Sequence, residues 1–202
     1  MPTITAAATE NEMIATFLRG ELASSRFGER LALHIQQLGL AVDLVTSPDL
    51  ADEQANRSRR ELITHFRGWG STQSVFGGLP AKRTDWVWVE LSERDLIERV
   101  FYIQHFWEAF SGGTRRPAQV ADRVRRGDAD VGPEIYQSIL ADVRRGNMPN
   151  PPILVSNPAM ERLVILEGHL RITAYLVEPD VVPFPIRALL GLSVSINEWS
   201  EW

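Results

Sequence analysis

The chain has 202 residues, 44% of them hydrophobic and 23% charged, enough to bury one substantial core with a small appended subdomain. Its formal net charge of −5 disfavours general nucleic-acid binding, which needs a basic face to displace counterions. The absence of cysteine excludes disulfides, thiolate catalysis and cysteine-held metals, and no apolar run approaches a membrane span, so a cytoplasmic protein with no membrane partner is expected.

Residues 10–40 read as helical, with Ile14, Phe17, Leu18 and Leu22 on one face and Leu31, Ile35 and Leu38 after a break near Gly28; Gly39 suits a stop. Residues 43–52 read as a loop around Ser47-Pro48-Asp49, followed by a polar helix that ends in Leu62, Ile63 and Phe66 near Gly68. Glycines 68, 70, 77 and 78 flank a connector, which divides an N-terminal helical region with its connector, 1–79, from an α+β domain, 80–202. Trp86-Val87-Trp88-Val89 alternates like a half-buried strand. Apolar residues at 96, 100, 103, 107 and 110 make one helical stripe about four turns long.

Pro117 and Pro133 sit where helices begin, and Gly146 suits the end of the second, whose core face is Ile135, Ile139, Leu140 and Val143. Ile153–Val155 and Leu163–Leu166 read as neighbouring strands joined through Asn157-Pro158, with a helix from His169 to Val177 after them. The run Phe184–Leu190 is a further strand, marked by Pro185 as an edge. The order helix, strand, strand, helix, strand argues for a mixed α+β fold.

The chemistry concentrates at Glu167-Gly168-His169-Leu170-Arg171, a tight turn between a buried strand and a helix. The first-turn amides of a helix lack partners and its dipole favours an anion there, while a glycine permits close approach to the backbone. Gly168, His169 and Arg171 are therefore candidate phosphate contacts, and Thr173 is either an extra hydroxyl or internal to the helix. Glu167, at the end of the strand, has the place of a general base or a Mg2+ ligand, with His169 as its catalytic companion. Another reading of the same residues has Glu167 pair with Arg171 across one turn while His169 merely begins the helix. The flanking strand and helix favour the functional reading.

A second candidate is Ser111-Gly112-Gly113-Thr114-Arg115-Arg116, where two glycines, a hydroxyl and arginines suit either an anion-cradling nest or a helix end followed by a new cap. Thr114 and Arg115 are its phosphate candidates. Arg144 and Arg145 suit a helix end by charge. The six tryptophans read mostly as packing, and His34, His65 and His105 have no partner at metal-ligand spacing.

The Glu-Gly-His-Leu-Arg turn resembles that of the ParB/sulfiredoxin-like domains, which carry such a turn between a strand and a helix. The specific part of the resemblance is Val164 to Tyr175, within an order of elements that runs from about Trp86 to Leu192; Gly146 to Val155 is similar to the approach to the signature strand. Among the family's forms the turn is nearest to that of the free-serine kinases, with Glu167 in the place of an aspartate and Leu170 in the place of a second histidine. The resemblance implies ATP or another nucleoside triphosphate as ligand, Mg2+ as cofactor, and phosphotransfer to a small-molecule acceptor or nucleotide hydrolysis. Without cysteine the sulfinate-repair chemistry is excluded. The roughly thirty residues after Tyr175 leave no room for a helix-turn-helix reader, so nucleic acid is disfavoured as a partner, while a homodimer stays open. The competing class is a nucleotide-switched binding module for a protein or nucleic-acid partner, without turnover.

Overall fold

A computed structural model of the chain describes every residue except Thr72, Gln73, Val75, Ala129 and Val131, and the backbone but not the side chains of Gln104, His105 and Phe106. Among the described residues six strands form one mixed sheet: β1 (Thr3–Ala8), β2 (Asp85–Leu91), β3 (Val100–Phe101), β4 (Ile153–Ser156), β5 (Leu163–Glu167) and β6 (Ile186–Leu192), in the spatial order β1-β2-β6-β4-β5-β3. The pairs β1·β2, β2·β6 and β4·β5 are antiparallel, and β4·β6 and β3·β5 are parallel. The helices among the described residues are α1 (Glu10–Leu22), α2 (Gly28–Gln37), α3 (Asp43–Thr46), α4 (Glu53–Arg67), α5 (Glu93–Arg99), α6 (Gln104–Phe110), α7 (Pro117–Arg125), α8 (Pro133–Arg144) and α9 (His169–Val177). Sheet and helices together make an α+β fold.

Local chemistry explains most of the boundaries. The Thr9 side chain accepts from the Glu12 amide at 3.1 Å and starts α1, Asp52 does the same for α4, and Ser92 with Asp95 forms a reciprocal capping box on α5. Prolines open α7 and α8 where a missing N–H costs nothing. Gly68 closes α4 at φ +75, its amide donating to the Thr64 carbonyl at 2.8 Å.

Five features depart from the sequence reading. The stripe from Leu96 to Phe110 is not one helix: α5 stops at Arg99, and Val100 and Phe101 turn extended to pair with Leu163 and Val164 of β5. Leu96, Val100, Ile103 and Trp107 are nevertheless all buried, because two short helices and a strand can present the same spacing to the core. Pro185 lies before β6 rather than in it, so β6 keeps its amides and runs in mid-sheet between β2 and β4. The 43–52 loop contains α3, and the core face of α8 is Tyr136, Leu140 and Val143, with Ile135 and Ile139 half-buried. Residues 3–8, for which no strand was expected, form the edge strand β1, so the segment before residue 80 contributes to the sheet as well as the helical layer.

One buried cluster runs from Met13 in α1 through all the central strands to Trp199. Within it α9 packs against α7 and α8, and α1 packs against α2, α4 and β2. Among the described residues no helix is long and apolar enough to cross a membrane.

Candidate functional site

Leu163 to Leu166 are all buried, so β5 is fixed along its length and delivers Glu167 to the rim of the core. Gly168 follows as the N-cap of α9 at φ +100, a conformation side chains rarely adopt. A Cβ added there would lie 2.9 Å from the Pro152 Cβ. The close approach that requires glycine is therefore made by Pro152, whereas the sequence reading assigned it to a ligand.

One turn along α9, the Arg171 guanidinium donates to the Glu167 carboxylate, in an ion pair whose side chains are only 11% and 16% exposed. Its Nη1 also donates to the Asn150 carbonyl at 2.5 Å. Pairing across one turn is thus what the folded chain adopts, and Glu167 can act as a base or metal ligand only if another anion takes Arg171. Burial lowers the Arg171 pKa, with Tyr175 and Glu21 opposing the shift.

The N-terminal helices close over this turn. The Asn150 side-chain amide donates to the Thr16 carbonyl of α1 at 2.5 Å. A Cβ on Gly20 would stand 3.0 Å from that amide and 3.6 Å from the Glu167 carboxyl, so α1 passes close above both. Next along α1, Glu21 is 3% exposed and pairs with Arg67, the last residue of α4, at 2.5 Å. Arg67 lies 3.9 Å over the Phe27 ring and Arg26 lies 5.0 Å over the same ring.

His169 presents its ring parallel to Trp107 at 5.3 Å and, within 12°, to Tyr102 at 5.8 Å. Burial pushes its pKa down to about 3, and Arg67 and Arg26 push the same way, so the imidazole is neutral at pH 7. The residue as a whole is only half-buried, but its Nε2 is fully enclosed and has no hydrogen-bond partner among the described residues. Two further atoms share that condition at this place, Oε2 of Glu21 and Nε of Arg67.

The other sequence candidates have different employment. Thr173 is fully buried inside α9, its hydroxyl donating to the His169 carbonyl at 2.8 Å and sharing a hydrogen bond with the Tyr102 hydroxyl. It supports the ring that His169 stacks on and has no surface to offer a ligand. Arg115 is 9% exposed; its Nε and Nη2 donate to the Tyr102 carbonyl at 3.0 and 2.8 Å, Nη2 to Glu201 at 2.5 Å and Nη1 to Trp202 at 3.2 Å. Thr114 caps its own turn, donating to the Ser111 carbonyl at 2.8 Å and accepting from the Arg116 amide at 3.2 Å. The expected anion nest is instead a clasp that ties residues 201–202 to the end of β3. Arg144 pairs with Glu178, and Arg145 with Asp142.

Among the described residues no group of three or more His, Asp or Glu is arranged to hold a metal ion, and the side chain of His105 lies outside them. Magnesium bound through one carboxylate and substrate phosphates needs no such group, so Glu167 remains compatible with it.

Glu21, Arg67, Tyr102 and Asn150 were not among the candidates. Glu21 carried a legible signal: it stands three and four residues after Leu18 and Phe17, an acid on the apolar stripe of α1. Arg67 carried none, since its contact with Glu21 spans 46 residues. The chain matches no protein-family model, no curated protein and no solved structure.

Proposed function

We propose that the chain binds the phosphates of ATP or another nucleoside triphosphate at the Glu167–Arg171 turn and uses the nucleotide, with Mg2+, for phosphotransfer to a small molecule or for hydrolysis. The carrying observation is the set of enclosed polar atoms without partners around the start of α9: His169 Nε2, Glu21 Oε2 and Arg67 Nε. Buried polar groups are nearly always hydrogen-bonded, so three such atoms beside one helix start suit a polar ligand. Arg171 and Arg67 supply the charge, and the neutral imidazole of His169 supplies one donor or acceptor. The turn's resemblance to ParB/sulfiredoxin-like domains supports the same reading.

In this reading phosphate oxygens take Arg171 from Glu167, since a guanidinium binds phosphate as readily as carboxylate. The freed carboxylate would then accept the proton of the attacking hydroxyl or water as the nucleoside diphosphate leaves, or would be a ligand for Mg2+, which would supply charge neutralisation on the phosphates. A specific observation favours a second reading, a nucleotide-driven switch: Asn150 ties the turn to Thr16, and Glu21 ties α1 to Arg67, so an exchange at Arg171 reaches the N-terminal helices.

The deciding experiment measures thermal stabilisation by ATP, ADP, CTP and GTP with and without Mg2+, together with product release, in the wild type and in Glu167→Gln. Stabilisation in both proteins with turnover only in the wild type supports the enzyme. Stabilisation without product in either selects the switch, and no stabilisation by any nucleotide removes both.

A further inference from the structure

Beside the turn, between α1, α3 and the strands β2 and β6, lies a cavity of about 480 Å3 that the nucleotide reading does not use. That volume lies in the range of small-molecule sites. Its wall holds Thr16 and Arg19 from α1, Ser47 after α3, Trp88 from β2, Arg187 from β6 and Asn150.

Two features make this a built site rather than a surface dip. The first is the pair Trp88 and Arg187. Arg187 stands opposite Glu90 and Trp88 opposite Leu189, two residues apart in register, so both project from the same face of the sheet. The guanidinium lies 3.8 Å over the indole, while the indole N–H donates to Glu12 at 2.7 Å and is thereby held in place. A guanidinium stacked by its face keeps its N–H edge free to grip a planar oxyanion with two parallel hydrogen bonds. Among the described residues the guanidinium of Arg187 makes no hydrogen bond or ion pair besides its stacking on Trp88, and the guanidinium of Arg19 makes none, although the backbones of both residues are bonded in their helix and sheet.

The second is Thr16. The residue is 4% exposed and lines the cavity, its carbonyl takes the Asn150 amide, and among the described residues its hydroxyl has no hydrogen-bond partner. A hydroxyl in the cavity wall with open hydrogen-bonding capacity, beside two guanidinium groups without an ion pair, is suited to the polar body of a small anion.

We infer that this cavity binds a small organic carboxylate, its carboxylate gripped by the edge of Arg187 with Arg19 adding charge, and its polar remainder held by Thr16 and Asn150. The inference does not rest on the nucleotide reading. Asn150 is nevertheless shared: its side chain faces the cavity-lining Thr16 while its carbonyl takes Arg171, so the two sites are in contact.

The test is calorimetric titration of the full chain with succinate and citrate, against chloride at matched ionic strength and against inorganic phosphate. Saturable binding of a carboxylate is expected, weakened about tenfold by Arg187→Ala and less by Arg19→Ala, with Arg187→Lys intermediate because a lysine keeps the charge but not the fork. Both arginines are exposed, so the variants should fold, which circular dichroism checks. Any stabilisation by ATP should survive Arg187→Ala, which separates this site from the turn. No saturable binding of either carboxylate, equal binding in Arg187→Ala, or equal binding of inorganic phosphate would overturn the assignment.

Discussion

Arg115 and Arg171 are both arginines in glycine-bearing turns and both mostly buried, yet they are held in opposite ways. Arg115 spends its donors on the main-chain carbonyls of Tyr102, Glu201 and Trp202. Arg171 spends its donors on a carboxylate and a single carbonyl, beside three polar atoms that have no partner. Carbonyls in a fold have nowhere else to go, so an arginine among them is a strut. A carboxylate partner can be displaced by another anion, so an arginine held that way can serve a ligand. Partner type separates the two roles where residue type and sequence context do not.

The largest expected effect falls on the strut. Arg115→Ala strips hydrogen bonds from three buried or half-buried carbonyls and frees residues 201–202, and should cost about 3 kcal/mol of stability in urea unfolding. Any nucleotide-induced rise in melting temperature should be kept in this variant. Loss of the nucleotide response at a temperature where the variant is still folded would place Arg115 back among the ligand contacts. Next comes Gly168→Ala, which needs φ near +100 and a Cβ 2.9 Å from Pro152, for about 2 kcal/mol. A neutral result would mean that the turn can relax and that Pro152 does not fix it.

How much of this contrast could be read from the sequence depends on the span of each contact. The β5–turn–α9 unit was legible because its determinants are local: four apolar residues, a glycine and an arginine four residues after an acid. First-turn prolines announced α7 and α8, and Gly146 the end of α8, for the same reason. The roles of Arg115 and Arg67 were not legible, since they are set by carbonyls 86 and 87 residues away and by a carboxylate 46 residues away. The stripe at 96–110 misled because burial periodicity constrains which residues face the core, and two short helices around β3 meet that constraint as well as one long helix does. β1 was invisible since its small, mostly exposed residues show no alternation and pair with β2, a strand some eighty residues away.

Arg171→Gln tests the exchangeable side of the comparison. Glutamine keeps a hydrogen bond to Glu167 but leaves its carboxylate without a charge partner, at about 1.5 kcal/mol. Nucleotide stabilisation should vanish, and unchanged binding would show that Arg171 is as structural as Arg115.

The smallest effect is a pH dependence. Burial, reinforced by the positive charges of Arg67 and Arg26, depresses the folded-state pKa of His169 to about 3 against 6.5 for a free imidazole. Between those values the unfolded chain binds a proton that the folded chain refuses. The stabilising contribution is therefore full above pH 6.5 and is lost as pH falls toward 3. Between pH 7 and pH 6 the loss from this group is about 0.7 kcal/mol, and it steepens toward about 1.4 kcal/mol for each further unit. His169→Gln cannot take up the proton in either state, so its unfolding free energy should fall less steeply than the wild type's over this interval, and the difference between the two curves isolates the one imidazole. A bound phosphate beside the ring would favour the imidazolium and raise the folded pKa, so saturating nucleotide should bring the two curves together. Parallel curves without nucleotide would show that His169 is open to water and does not belong to the enclosed group that distinguishes this turn from the Arg115 clasp.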